Sequence, residues 1–302
     1  MTLQQIRYAM LVSKTNSINE AAKQLFITQP SLSSALKELE EEVGIQIFRR
    51  STRGVSLTEE GKEFLGYAKQ ILDQVELLEE RYSDGDNRKK HFGVSTQHYS
   101  FAVKAFVETV KSRDMKDYEC AIRETKTMDV ITDVRDGRSE IGVLYTDAFN
   151  EKVMQKLFRD NALQFHGLFQ CKSYVYLWKN HPLASKKEIR LEELDEYPCL
   201  SFEQGENNSF YLNEEILSTY EYKKTIKACD RATMLNLMVG LNGYTLCSGI
   251  ICEELNGSDC VAIPLQSTEV MQIGYVTRKK AVLSSLGEKY IEEMLKYAEQ
   301  GE

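Results

Sequence analysis

The sequence predicts a multidomain chain: an N-terminal winged helix-turn-helix, one long linker helix, and a C-terminal α/β region built as two lobes. Three observations predict it. Ser17–Thr58 combines helix caps, apolar stripes and a basic hairpin pattern; Phe64–Tyr82 repeats apolar residues at spacings of four and three; and from His91 onward strand and helix patterns alternate. The 302 residues suffice for two or three domains with sizeable cores, and 42% hydrophobic with 28% charged residues is ordinary soluble composition.

Ser17-Ile18-Asn19-Glu20 has the form of a capping box, in which the serine hydroxyl accepts a backbone N–H and the glutamate reaches back. The short helix it opens buries Ala21, Ala22 and Leu25 and breaks at Phe26-Ile27. Thr28 caps a second helix whose first turn tolerates Pro30, and Gly44 stops it. Leu32, Ala35, Leu36, Leu39 and Val43 form its apolar face. The other face carries Gln29, Ser31, Ser33, Ser34 and Lys37, mostly short polar residues that can approach a base edge or a phosphate. Phe48–Thr58 reads as a hairpin bearing Arg49, Arg50 and Arg53. The expected DNA contacts are therefore Gln29, Pro30, Ser31, Ser33, Ser34 and Lys37 in the major groove. Arg50 and Arg53 of the wing are expected in the minor groove or on phosphate.

The net charge of −8 fits this only when divided. Residues 1–58 hold seven Lys/Arg against five Glu, a net of +2, which leaves −10 for residues 59–302. The acidic remainder repels DNA and confines contact to the N-terminal end. So small a positive charge implies reliance on dimerisation and geometry rather than a broad basic footprint.

Thr58 caps a helical pattern that runs to about Ser83, with Phe64, Ala68, Ile71, Val75, Leu78 and Tyr82 as a coiled-coil seam widened by Leu65 and Leu72. With no neighbour in the sequence to bury it, the helix is expected to dimerise the protein and set two recognition helices on an interrupted dyad of double-stranded DNA. Ser83-Asp84-Gly85-Asp86-Asn87 reads as a polar linker. The expected domains are 1–58, 59–86 and 87–302.

In the last of these, strands are expected at Phe92–Thr96, Tyr118–Glu124, Ile141–Tyr145, Leu163–Phe169, Tyr174–Leu177, Cys199–Phe202, Tyr244–Cys247 and Met271–Arg278. Helices are expected at Phe101–Lys111, Met128–Arg135, Leu212–Thr219, Met234–Val239 and Ser285–Glu299. Strand–helix–strand order favours a parallel sheet covered by helices. Lobe I is placed at about 90–161 and 269–302 and lobe II at about 162–268, with crossovers near Leu163–Leu168 and Pro264–Val270.

Ala21-Ala22, Leu25, Thr28-Gln29-Pro30-Ser31-Leu32-Ser33, Leu36, Leu39-Glu40, Gly44, Phe48-Arg49-Arg50 and Leu57-Thr58-Glu59-Glu60-Gly61 together resemble the LysR-type transcriptional regulators. The likeness runs on through His181-Pro182-Leu183-Ala184 and the leucine-glutamate stretch before Pro198, so it covers essentially the whole chain. Ser34 departs from it, standing where many members carry a longer or basic side chain. The resemblance implies a periplasmic-binding-protein-like effector domain, a small-molecule effector in its cleft, dimers paired into a homotetramer, and altered DNA bending or RNA polymerase contact when the lobes shift.

In open α/β sheets, ligands sit beyond the carboxyl ends of the strands, where helix N-termini favour anions. Ser95, Thr96, Gln97 and His98 form the first such junction, and Thr125, Lys126 and Thr127 the second. Asn208 and Ser209, with Arg231, are the lobe II candidates. An effector that carries a carboxylate or another anionic group is the expectation. The Ser95-Thr96-Gln97 turn also looks like that of sulfur-metabolism members of the family. The competing assignment is ordinary capping and turn chemistry.

No apolar stretch approaches the ~18 residues a membrane span needs, and Met1-Thr2-Leu3-Gln4-Gln5 lacks a signal pattern. Seven scattered cysteines without a C-x-x-C pair suit a reducing, cytoplasmic setting. The four histidines lack metal-ligand spacing, His181 and Trp178 read as structural, and no catalytic motif appears; no metal, cofactor or enzymatic role is expected. Two other classes remain: a redox-regulated DNA binder, for which Cys247 and Cys252 are the nearest pair, and an α/β enzyme with an accessory DNA-binding domain.

Overall fold

The computed structural model describes residues 1–51, 54–82, 90–112, 117–205 and 209–298. Arg53, the linker at 83–87 and Asn208 lie outside the described residues. The chain divides into two units, Met1–Asp86 and Asn87–Glu302.

The first unit opens with a helix the sequence patterns above did not mark, α1 (Leu3–Thr15), capped by a reciprocal Thr2–Gln5 box and burying Ile6, Ala9 and Val12. Then come α2 (Ile18–Gln24), α3 (Gln29–Val43), the antiparallel pair β1 (Phe48–Ser51) and β2 (Gly54–Leu57), and α4 (Glu59–Tyr82). Ser17 caps α2 by accepting the Glu20 N–H, but Glu20 does not complete the box. Instead the Ser17 N–H donates to Thr15 Oγ1 at 3.4 Å, and the Glu20 carboxylate lies 3.9 Å from Lys23 Nζ. Phe26 breaks the helix in the left-handed region at φ 55°, and Gly44 ends α3 at φ 73°. Leu32, Leu36 and Leu39 are fully buried against α1 and α2 residues in one core.

Two side chains fix the wing to this core. Glu40 Oε1 accepts the N–H groups of Ile47 (2.8 Å) and Phe48 (2.9 Å). Thr58 Oγ1 accepts the Gly61 N–H at 2.8 Å and donates to Gln46 O at 2.5 Å, tying the start of α4 to the start of the wing. The first half of α4 does have a neighbour: Leu65 and Ala68 are buried in the winged domain's core, with Phe64 and Leu72 packed on it. Of the expected dimer seam, Phe64 and Ala68 are thus used within one chain. Ile71 and Leu78 stay exposed, at 40% and 59%. Val75 is half-buried, and the Tyr82 side chain is outside the described set.

The second unit runs β3 (Lys90–Thr96), α5 (Ser100–Lys111), β4 (Tyr118–Glu124), α6 (Thr127–Arg135), β5 (Ile141–Thr146), α7 (Glu151–Asp160), β6 (Leu163–Lys172), β7 (Tyr174–Trp178), β8 (Cys199–Phe202), β9 (Thr225–Ala228), α8 (Arg231–Leu241), β10 (Thr245–Cys247), α9 (Glu253–Asn256), β11 (Cys260–Pro264), β12 (Val270–Arg278) and α10 (Ser285–Leu295). Lobe I is a five-stranded sheet in the order β4-β3-β5-β12-β6, with β3 parallel to β4 and β5 and β12 antiparallel to its neighbours. Lobe II holds the antiparallel sheet β10-β7-β11 and the parallel pair β8-β9.

Two expectations change. Leu163–Leu168 is not a crossover: β6 pairs with β12 along its length, so it belongs to lobe I and the first crossing falls at Ser173. The second crossing follows Pro264, and the two are bonded together by Leu265 N–H to Ser173 O at 2.9 Å and Ser173 Oγ to Glu269 O at 3.3 Å. Leu212–Thr219 is not a helix. Only Phe210–Leu212 makes a 3-10 turn, because the following carbonyls are taken by lobe I side chains: Leu212 O by Thr127 Oγ1, and Asn213 O and Glu215 O by the Tyr145 hydroxyl. The short elements α7, β9, α9 and β11 went unanticipated.

Candidate DNA interface and effector cavity

The recognition face of α3 opens with Thr28, whose Oγ1 accepts the Ser31 N–H and lies 2.8 Å from Ser31 Oγ. Gln29, Pro30, Ser31, Ser34 and Lys37 are all exposed. Ser33 is half-buried, and Gln29 Nε2 donates to its Oγ at 2.7 Å, which braces the amide across the face. Ser34 Oγ donates to Glu38 at 3.2 Å, and Lys37 pairs with Glu41 at 3.4 Å. The first turn of α3 holds no acidic residue, so its positive helix end is unopposed where a phosphate would approach. Arg49 and Arg50 are exposed on β1.

In the second unit, the two junctions expected to hold an anion are occupied by the chain itself. Ser95 is buried inside lobe I, donating to Asp133 at 2.7 Å and lying 2.8 Å from Ser139 Oγ. Thr96 is buried and donates to Gln97 O at 2.8 Å. Gln97 is a buried hub: Nε2 donates to Thr127 Oγ1 (2.6 Å), and Oε1 accepts the Tyr145 N–H and the Tyr99 hydroxyl (3.1 Å each). Lobe II then closes over this hub. Gln204 Oε1 accepts the Thr127 N–H at 3.0 Å, at the N-terminus of α6, and Gln204 Nε2 donates to Glu214 at 2.9 Å.

Glu214 does the same at the start of α5. Its Oε2 accepts the His98 N–H at 2.9 Å and lies 2.8 Å from His98 Nδ1, a carboxylate partner that assigns the proton to that nitrogen. The His98 ring stacks on Phe202 with centroids 3.7 Å apart. Both donor sets that would have received an external anion are therefore satisfied. Thr125 donates to Asp129 at 3.2 Å, Lys126 Nζ crowds Gly205, and Ser209 is exposed. Of the expected effector residues within the described set, only His98 and Arg231 line the cavity between the lobes.

That cavity is walled by Phe101, Met234, Leu246, Ile250 and Met271, with Tyr176, Phe202, Glu214, Glu215 and Thr245 added to His98 and Arg231. Arg231 Nη2 and Nε both bond the Glu124 carboxylate of lobe I. Glu215 is the residue whose importance the sequence least suggested, since an acidic pair in an apparent helix reads as a solvated face. Burial, and then the neighbouring Glu214 carboxylate, push its carboxyl up to about 8. The folded state therefore holds a proton that the unfolded chain loses near its ordinary value of 4.5, and stability is expected to fall as pH rises between 4.5 and about 8. Thermal melts across that range should show a flatter profile for Glu215→Gln than for the parent; equal slopes would remove Glu215 as the cause.

Burial pushes the thiols of Cys171, Cys199 and Cys247 up to about 12, and those of Cys252 and Cys260 upward as well, away from the thiolate form that oxidants attack. Exposed Cys229 is held up by its hydrogen bond to Glu203. Among the described residues no group of three or more His, Cys, Asp or Glu is placed to hold a metal, and no helix is long and apolar enough to cross a membrane.

Residues 3–62 match the family described as bacterial regulatory helix-turn-helix protein, lysR family, and residues 98–299 match the LysR substrate binding domain. The chain is 24% identical over 294 residues to the uncharacterized HTH-type transcriptional regulator YbhD of Escherichia coli, covering 95% of this chain and 89% of that one. It is 28% identical over 205 residues to the HTH-type transcriptional regulator AlsR of Bacillus subtilis, covering 67% and 64%. Among solved structures, a full-length OxyR variant from Pseudomonas aeruginosa superposes with a TM-score of 0.68 at 19% identity, covering 98% of each chain. Full-length CbnR in complex with its target DNA gives 0.57 at 15%, covering 98% of this chain and 99% of that one. At those identities the likeness shows the fold, with its two-lobed α/β domain. Matched at both ends by the family's own domains, the chain belongs to the LysR family of DNA-binding transcriptional regulators that carry an effector-binding domain.

Proposed function

We propose that this regulator reads an interrupted dyad as a dimer, through Gln29, Pro30, Ser31, Ser33, Ser34 and Lys37 in the major groove and Arg50 at the flanking backbone or minor groove. The observation that carries this is the exposed, acid-free first turn of α3 in the same unit as an arginine-bearing wing strand. Ser33→Ala removes the acceptor that braces Gln29 and is expected to change sequence preference, with ~1–3 kcal/mol lost at the affected base pair. Arg50→Ala is expected to weaken all duplexes alike and to lower the salt slope by about one. Fluorescence anisotropy on matched and mismatched duplexes separates the two effects; unchanged affinity for Arg50→Ala would remove the wing from the interface.

The exposed Ile71 and Leu78 of α4 support a dimer seam in that half of the helix, and pairing of two such dimers gives the tetramer. Ile71→Asp with Leu78→Asp is expected to yield monomers in sedimentation, and a variant that stays dimeric moves the interface elsewhere. The cavity between the lobes is the effector site in this proposal. Occupancy there shifts lobe II about the bonded crossings at Ser173 and Leu265, and through the dimer arrangement alters DNA bending or contact with RNA polymerase.

A further inference from the structure

We propose that the effector is an organic cation, a primary ammonium on an apolar body; this rests on the cavity being the effector site, as proposed above. Three oxygens on the cavity lining lack a full set of partners. Glu215 Oε1 accepts the Phe202 N–H at 2.8 Å, while Oε2 has no partner among the described residues in a side chain only 7% exposed. Thr245 Oγ1 is likewise without one, also at 7% exposure. Tyr176 faces Thr245 directly across the β7–β10 pair, and its hydroxyl has only the soft Cys260 thiol beside it.

Buried polar atoms left this way are costly unless something fills the gap. An ammonium carries three N–H donors and no acceptor, which suits a lining whose open positions are oxygens. The charges already present point the same way. The Arg231 guanidinium is bonded to Glu124, and the His98 ring to Glu214, so both side chains are already engaged by carboxylates. The groups facing Glu215 are the Glu214 carboxylate, the Tyr99, Tyr145 and Tyr222 phenols, the Cys199 thiol and Lys227. An incoming carboxylate would meet the Glu214 and Glu215 oxygens. An ammonium lets Glu215 ionise, its proton leaving to solvent, and Phe101, Ile250 and Met271 take the apolar body.

The test is calorimetry of the full-length protein with three probes that share an aryl body: phenethylamine, phenethyl alcohol and phenylacetate. Phenethylamine is expected to bind at least about tenfold tighter than either of the others. Its binding at neutral pH should release a proton, seen as a dependence of the heat on buffer ionisation, and should tighten as pH rises toward 8.5, on the order of tenfold overall. Glu215→Gln keeps the bond to the Phe202 N–H and should erase the preference for the amine. If phenylacetate or the alcohol binds as tightly as the amine and Leu235→Trp, which fills the cavity wall, blocks that binding, the cavity is the site and the ammonium assignment is wrong. If no probe binds, or if Leu235→Trp leaves binding intact, the cavity is not the effector site and the proposal falls with it. A folded Glu215→Gln variant that still prefers the amine overturns it as well.

Discussion

Replacing Gln97 by leucine is expected to unfold the effector domain at a temperature roughly 10 °C below the parent. The side chain is buried at 1% exposure and makes three bonds: to Thr127 Oγ1, from the Tyr145 N–H and from the Tyr99 hydroxyl. Leucine fills a similar volume but leaves the Tyr145 amide without an acceptor and frees the Tyr99 hydroxyl. Each orphaned buried group costs ~1–3 kcal/mol, so the total is about 3–5 kcal/mol. Glutamate is not a substitute. Thr127 already spends its one hydroxyl hydrogen on Leu212 O at 2.7 Å, so it needs a donor from residue 97, which a carboxylate lacks. Scanning calorimetry should therefore place both variants well below the parent. A melting temperature within about 2 °C of the parent for Gln97→Leu would mean that the hub is not holding β3, β5 and α6 together.

Gly61→Ala is expected to have a comparable effect in the other unit. A Cβ at this position would stand 2.2 Å from Ile47 O, which accepts the Thr58 N–H at 3.0 Å, and 2.9 Å from Thr58 Oγ1, which is bonded to Gln46 O and the Gly61 N–H. Neither atom is the end of a flexible side chain, so the first turn of α4 must move off the wing. The cost is about 3 kcal/mol or more, the range of severe overpacking. Gly66, one and a half turns on, has open space around its would-be Cβ. Gly66→Ala in the same helix is expected to stabilise by about 0.5–1 kcal/mol through helix propensity alone. Denaturant titrations of the two variants should diverge in sign; parallel behaviour would show that the contact with Ile47 is not what position 61 is for.

The sequence disclosed most where its signals are local. Thr28, Pro30 and Gly44 bound α3 by chemistry that acts within four residues, and the apolar spacing of Leu32, Leu36 and Leu39 carried over directly into a buried face. The strand pattern of lobe I was equally plain, because a strand buried along its whole length, such as Ile141–Thr146, is a mostly apolar run. What stayed hidden depended on contacts distant in sequence. The segment after Leu212 has the spacing of a helix, but its carbonyls are claimed by Thr127 and Tyr145, which lie more than sixty residues away. The same contacts turned the expected anion site into a closed one. Ser95, Thr96, Gln97 and Thr127 are polar, near helix starts and rich in hydrogen-bonding atoms, yet each is satisfied within the protein. Nothing in composition or periodicity distinguishes a hydroxyl awaiting a ligand from one already bonded to its own chain.

The most direct test of the central claim, sequence-specific DNA reading by a dimer through α3 and the wing, is selection from a pool of random duplexes by the full-length protein. Repeated rounds are expected to enrich two inverted half-sites whose centres stand one helical turn, about 10 base pairs, or a small multiple of it apart. Recovery of duplexes with a single unpaired half-site, or no enrichment over the starting pool, would contradict it.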